Sequence, residues 1–143
     1  MPIRAENKAR YPKDWAEISA RIRARAKNKC EECGIENYKL GGRTPDGRFF
    51  EALPTVDNGL RLTWPQPGEM ASCEGSKHKL RVIRIVLTVA HLDHQPENCA
   101  DDNLKALCQR CHNRYDRAAR VAGVKARRRQ ACAIGDFFEE QAR

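Results

Sequence analysis

Several things are missing from this chain, and each absence narrows what it can be. No apolar run is long enough to span a bilayer, so an integral membrane role is not expected. The first residues, MPIRAENKARYPKDWAE, have no continuous apolar stretch ahead of a small-residue cleavage site, which argues against secretion and for a cytoplasmic protein. There are no internal repeats. Nor is there an even number of cysteines: seven thiols fit poorly with a fully paired disulfide framework, and in a reducing compartment metal ligation is the better expectation.

What the chain does have is positive charge in blocks. The 143 residues carry a formal charge of +8, and the length suits a single α+β domain with a modest core. Residues 1–29 hold nine Lys/Arg against three acids, and residues 105–130 hold nine against one, Asp116. Two basic ends on a small domain point to a polyanion, most simply nucleic acid. The plain alternative is a well-solvated basic surface.

Hydrophobic spacing predicts a helix over residues 14–27, with Asp14 as N-cap and Glu17 completing a capping-box variant. Trp15, Ile18, Ile22 and Ala26 share its apolar face, while Arg21, Arg23, Arg25 and Lys27 form a basic face able to follow a phosphate backbone. Residues 41–79 are crowded with Gly, Pro and Asp/Asn-Gly pairs and read as an irregular insertion, with a short hairpin around residues 49–53. Residues 81–90 are the best strand in the chain, and a short strand or turn is expected at LKAL, residues 104–107. A helix is predicted from His112 to Arg129, with Gly123 as its weak point. The Phe137–Phe138 pair near the end would dock on the core or meet a partner.

Two Cys-x2-Cys knuckles, Cys30/Cys33 and Cys108/Cys111, are separated by residues 34–107. Each lets two sulfurs reach one ion, and together they close a tetrahedral four-thiolate zinc site with no open position, hence a structural one. CQRCH also matches the attachment motif of c-type haem, but that reading needs export and leaves Cys30 and Cys33 unexplained. Cys73, Cys99 and Cys132 lie outside the knuckles and read as free thiols, although Cys99 is near enough in sequence to His94 to substitute as a ligand. AHLDH, residues 90–94, ends the strand with three ionisable groups: a carboxylate and an imidazole suit a divalent ion, and a second imidazole can act as a base near neutral pH.

The segment VAHLDHQPENCADDNLKALCQRCHN resembles the HNH endonucleases, whose ββα-metal (His-Me finger) motif reads Asp-His, then Asn, then Cys-x-x-Cys-His. The match covers Cys30–Cys33 and residues 86–116, and it implies a core made of residues 28–40 and 80–130 within one domain, flanked by basic helices. The resemblance implies a metal-dependent endonuclease acting on DNA with little sequence specificity of its own. In it His94 would be the general base, Asp93 and His112 would hold a catalytic divalent ion, and Asn103 would fix the loop carrying His94. That ion would be Mg²⁺ or Mn²⁺, with Zn²⁺ or Ni²⁺ as further options. Many members of the family place another His or Asn one turn after the His of the knuckle. Here Asp116 stands there, either completing the metal shell, orienting a bound water, or relieving a basic helix. Asn113 and Tyr115 are further candidates, and His91 is either a ligand or a structural turn residue. Arg110, Arg114, Arg117, Arg120, Arg127, Arg128 and Arg129 would contact DNA phosphates. The alternative function is a zinc-knuckle nucleic-acid-binding protein without cleavage. A protein partner in a phage, restriction or mobile-element system is compatible with either, and the oligomeric state is open.

Overall fold

The computed structural model describes residues 5–56 and 59–141, with side chains over 7–56 and 59–132. The chain falls into two compact units, Met1–Gln109 and Arg110–Arg143. The first is an α+β unit of one helix and short antiparallel strands, and the second is helical. No helix among the described residues is long and apolar enough to cross a membrane.

Helix α1 spans Trp15–Arg25. Its predicted stripe does the packing: Ile18 and Ile22 are buried with Leu104 and Ala106, and Trp15 and Ala26 cover the same core. The expected capping box is absent, because Asp14 makes no side-chain cap bond. Its carbonyl closes the first turn instead, accepting from the N–H groups of Glu17 and Ile18 at 2.9 and 3.1 Å.

Residues 41–79 are less irregular than their composition suggests. Strands β1 (Leu40–Arg43), β2 (Phe49–Glu51), β5 (Met70–Ala71) and β6 (Leu80–Arg84) form a four-stranded antiparallel sheet in the order β2-β1-β6-β5. Strands β3 (Thr55–Val56) and β4 (Leu62–Thr63) make a separate two-stranded ladder. Ala52, Ala71, Cys73 and Val82 form the buried core of the larger sheet. Among the described residues, Gly47, Gly68 and Gly75 fall between very short strands, whereas two other glycines do not. Gly41 and Gly42 lie inside β1, where a Cβ on Gly41 would run into the Phe50 carbonyl oxygen and one on Gly42 would run into the Leu80 Cβ. These glycines admit neighbours that any side chain would displace.

The single strand expected over 81–90 is two strands in two sheets. β6 ends at Arg84, and β7 (Leu87–His91) pairs antiparallel with β8 (Leu104–Cys108), in register from Leu87↔Cys108 to His91↔Leu104. One stretch rich in β-branched residues serves both cores, Val82 in the larger sheet and Val89 against α1. The switch falls at Ile85 and Val86, where the Leu87 N–H turns to the Asn37 side chain at 2.9 Å. Val and Ile recur on both sides of that point, so strand propensity alone carries no mark of a change of partner.

The second unit is α2 (Gln109–Tyr115), which starts on the last residue of the first, followed by α3 (Arg117–Gln141). The interruption is at Asp116 rather than at Gly123, which α3 passes through. Backbone bonds from Asp116 N–H to His112 and from Arg120 N–H to Asp116, both 2.9 Å, bridge it. The side chains of Phe137 and Phe138 lie outside the described residues.

Candidate functional site

The two knuckles meet. The sulfurs of Cys30, Cys33, Cys108 and Cys111 all lie within 4.8 Å of one another, the one group of three or more metal-ligating side chains this close among the described residues. Local geometry sets each pair. The Cys30 N–H bonds the Ile35 carbonyl and the Gly34 N–H bonds the Cys30 carbonyl, with Gly34 at φ 71 in the left-handed region that glycine enters freely. Cys108 ends β8 and Cys111 falls in the first turn of α2. Cys30, Cys108 and Cys111 are buried, while Cys33 is exposed. The Cys33 and Cys108 sulfurs stand 3.7 Å apart, and the Cys108 N–H points at the Cys30 sulfur at 3.3 Å. Burial opposes ionisation of Cys30, but the backbone N–H groups of Cys108, Cys33 and Glu32 outweigh it, and its pKa is lowered. Four converging thiols of which one is already biased toward thiolate can hold a metal such as zinc.

Glu31, between the first two cysteines, is a tie that its sequence position does not announce. Its N–H donates to the Ala106 carbonyl at 2.9 Å, and its carboxylate accepts the Ala106 N–H at 2.6 Å. The same carboxylate pairs with Arg25 at 3.1 Å. Arg25 also donates to the carbonyls of Asp101 and Leu104. Arg21 pairs with Asp101 at 2.7 Å, and Arg23 donates to the Ser19 hydroxyl at 3.4 Å. Much of the basic face of α1, expected to follow a phosphate backbone, is therefore engaged inside the protein.

At the other end of the β7–β8 hairpin, the loop 92–103 is organised around Asp93. One carboxylate oxygen accepts the Gln95 N–H at 2.8 Å and the Asn103 amide at 3.0 Å; the other accepts the Asn98 amide at 2.7 Å. Asn103 also accepts the Asp93 N–H at 3.2 Å and donates to the Asn98 carbonyl at 2.8 Å. The Asn103 bond first, then the Gln95 and Asn98 bonds, hold the Asp93 pKa down to about 2. Asp93 and Asn103 are thus brought together, with Asn98 as a third member. His94 follows in the left-handed region, φ 59, exposed and with its N–H on the His91 carbonyl at 3.2 Å.

His91 is buried in an aromatic corner. Its ring stacks on Trp15 at 4.9 Å between centroids and meets Tyr11 edge-on at 5.7 Å. Desolvation lowers its pKa. Cys99, considered beside His94, places its sulfur 3.6 Å from His91 Nε2 instead. Arg10 ties the N-terminal 3-10 turn, Ala5–Arg10, to this loop through a two-pronged bond to Glu97.

In the helical unit, His112 Nε2 lies 3.2 Å from an Asp116 carboxylate oxygen, which also faces Arg120 at 3.7 Å. Arg120 donates to the Asn113 side chain at 3.2 Å. Arg110 and Arg114 on α2 are exposed, as are Arg117, Arg120, Arg127, Arg128 and Arg129 on α3 and Tyr115 at the end of α2. Of the remaining histidines, His78 is exposed in a turn. Comparisons with family models, with curated proteins and with solved structures return no match for this chain.

Proposed function

We propose that the protein is a metal-dependent endonuclease of the HNH type, acting on DNA, with a structural zinc in its four cysteines. The observation that carries this reading is the Asp93–Asn103 clamp. It supports an exposed His94 in a backbone conformation that costs most side chains, three residues past the end of a strand whose partner runs into a cysteine knuckle. A non-glycine residue in the left-handed region costs of order 1 kcal/mol, and Gly or Asn would meet the turn more cheaply. The imidazole is what the position gains.

In this reading the His94 imidazole takes the proton from the attacking water. Asn103 and Asp93 hold the loop that presents it. Asp93 and His112 would hold the divalent ion, which when bound neutralises charge on the scissile phosphate and its leaving oxygen. By residue type, a carboxylate and an imidazole suit such an ion. Asp93 is ionised at any physiological pH, and with three N–H bonds accepted it keeps roughly one lone-pair direction open. With His112 Nε2 3.2 Å from its carboxylate, Asp116 would orient the His112 ring toward that ion. The exposed arginines of α2 and α3 would hold the DNA backbone without reading sequence.

The test is nicking of supercoiled plasmid by the zinc-loaded protein with Mg²⁺ or Mn²⁺, compared with His94→Ala. Loss of a general base lowers the rate by roughly 10²- to 10⁴-fold, while DNA affinity by fluorescence anisotropy stays within a few-fold. A protein that binds DNA and never nicks faster than His94→Ala is the non-catalytic zinc-knuckle binder instead.

A further inference from the structure

We propose that Arg43, on strand β1 of the four-stranded sheet, is the outer charge partner of the cysteine metal centre. This rests on the four-cysteine metal reading and goes beyond it by assigning a residue that no motif contains. Arg43 Nη2 reaches the Cys108 sulfur at 3.6 Å, across 65 residues of sequence. The guanidinium does not arrive there loosely. Nη1 donates to the Gly47 carbonyl at 3.0 Å, in the turn between β1 and β2, and the Phe49 ring lies under the group with its centroid 5.4 Å from Cζ. One prong anchored in the turn and one face on an aromatic ring leave the other prong directed at the thiol.

The chemistry gives this position a purpose. A zinc ion bound by four thiolates carries two net negative charges, and three of these four cysteines are buried, so water screens that excess poorly. Backbone N–H groups supply part of the compensation, as the Cys108 N–H does for Cys30. A fixed cation donating to one sulfur supplies more, and it makes that thiolate a weaker nucleophile toward oxidants. Arg suits the task better than Lys because a planar fork holds two acceptors at once. The link also couples two parts of the first unit that share no core: the sheet closing on Val82 and the hairpin closing on Leu104. Metal occupancy and the order of the larger sheet then support each other.

The experiment uses the full chain loaded with zinc or with cobalt(II). It compares wild type, Arg43→Met, Arg43→Lys and a control, Arg48→Met. Arg48 faces Phe50 and pairs with Asp46 in the connection between β1 and β2. Arg43→Met is expected to weaken cobalt and zinc binding about 10-fold or more, within the range usual for an outer partner of a metal ligand. It should speed zinc release by an aromatic disulfide reagent by a similar factor. It should also move the sulfur-to-cobalt charge-transfer band to longer wavelength, which loss of sheet packing alone would not do. Arg43→Lys, which keeps the charge, recovers most of the affinity, and Arg48→Met leaves all three readouts unchanged. If Arg43→Met does not fold, Arg43→Gln carries the same comparison with a neutral donor. Wild-type affinity, release rate and charge-transfer band in both neutral variants, or a Lys variant no better than Met, overturns the assignment. A wild-type chain that takes up neither ion defeats the four-cysteine reading itself, and a tetrahedral cobalt spectrum unaffected by Arg43 defeats only this one.

Discussion

Glu31→Ala is the substitution that most directly tests how the first knuckle is held to β8. Ala106 is fully buried, and both its N–H and its C=O are bonded to Glu31, the carbonyl by the Glu31 backbone and the N–H by the carboxylate at 2.6 Å. Removing the carboxylate strands a buried N–H, which costs about 1–3 kcal/mol. The Arg25 pair that goes with it is partly exposed and is worth roughly 0.2–1 kcal/mol. Because a quarter of the Glu31 side chain is open to solvent, water recovers some of the first term, and the expected loss is about 2 kcal/mol. Glu31→Gln keeps an oxygen for the Ala106 N–H and should cost under about 1 kcal/mol. Urea unfolding of the zinc-loaded chain measures both. Metal binding and folding are linked at such sites, so the Ala variant should also bind zinc up to roughly 30-fold more weakly. An Ala variant within about 0.5 kcal/mol of wild type, or a Gln variant as damaged as Ala, refutes the reasoning.

Other expectations follow from the same geometry. Cys108→Ser should lose zinc and its cooperative melting together; unchanged zinc content by elemental analysis with an unchanged melting temperature would sink the four-thiol assignment. Asp93 has a folded pKa of about 2, below the 3.8 of the unfolded chain, so its contribution to loop stability is present above pH 3.8 and is lost as pH falls through about 2. An NMR titration of its carboxyl carbon should show that low midpoint, and Asn103→Ala should move it up toward 3.8; an unmoved midpoint contradicts the clamp. Gly42→Ala puts a Cβ on the Leu80 Cβ and should cost about 1–3 kcal/mol, read by urea unfolding, whereas a neutral result would show that β1 and β6 can part. If the protein binds DNA as proposed, replacing Arg127, Arg128 and Arg129 with Gln should lower the salt dependence of that binding by up to roughly 0.9 log units for each phosphate no longer neutralised, leaving the melting temperature unchanged; an unchanged slope rules these arginines out as phosphate contacts.

How much of this could be read in advance depended on the range of the interaction. The α1 stripe was legible because helical spacing repeats within a dozen residues, and all four of its residues do pack on one core. The convergence of the cysteines was legible because each knuckle is local and zinc chemistry supplies the pairing rule. The split of the 81–90 run was not, since Val82 and Val89 look alike in sequence and differ only in which core covers them. The strands within residues 41–79 were hidden for a related reason. They are two to four residues long, too short for alternation to register, and the two glycines of β1 read as breakers when they are close-approach positions. At the site, the Asp93–Asn103 pair followed a recognisable order of residues, whereas Glu31 and Arg43 belong to no pattern. Their partners lie 75 and 65 positions away, and only the folded chain brings them to β8.

The positive charge shows most clearly what composition conceals. Both basic blocks contribute alike to a net charge of +8, and either could be assigned to a polyanion. In the folded chain they differ in kind. Arg21 and Arg25 are paired with Asp101 and Glu31, and Arg25 reaches two backbone carbonyls besides, so these charges hold α1 to β8 and its flanking turn. A phosphate would have to compete with those partners for them. The arginines of α2 and α3, Arg128 among them, stand exposed on elements with few acids, where a phosphate backbone meets less competition. A nucleic-acid reading must therefore rest on residues 110–129 and not on the net charge. It also predicts opposite consequences for two chemically identical changes: neutralising Arg25 weakens the fold, and neutralising Arg127, Arg128 and Arg129 weakens only the grip on DNA.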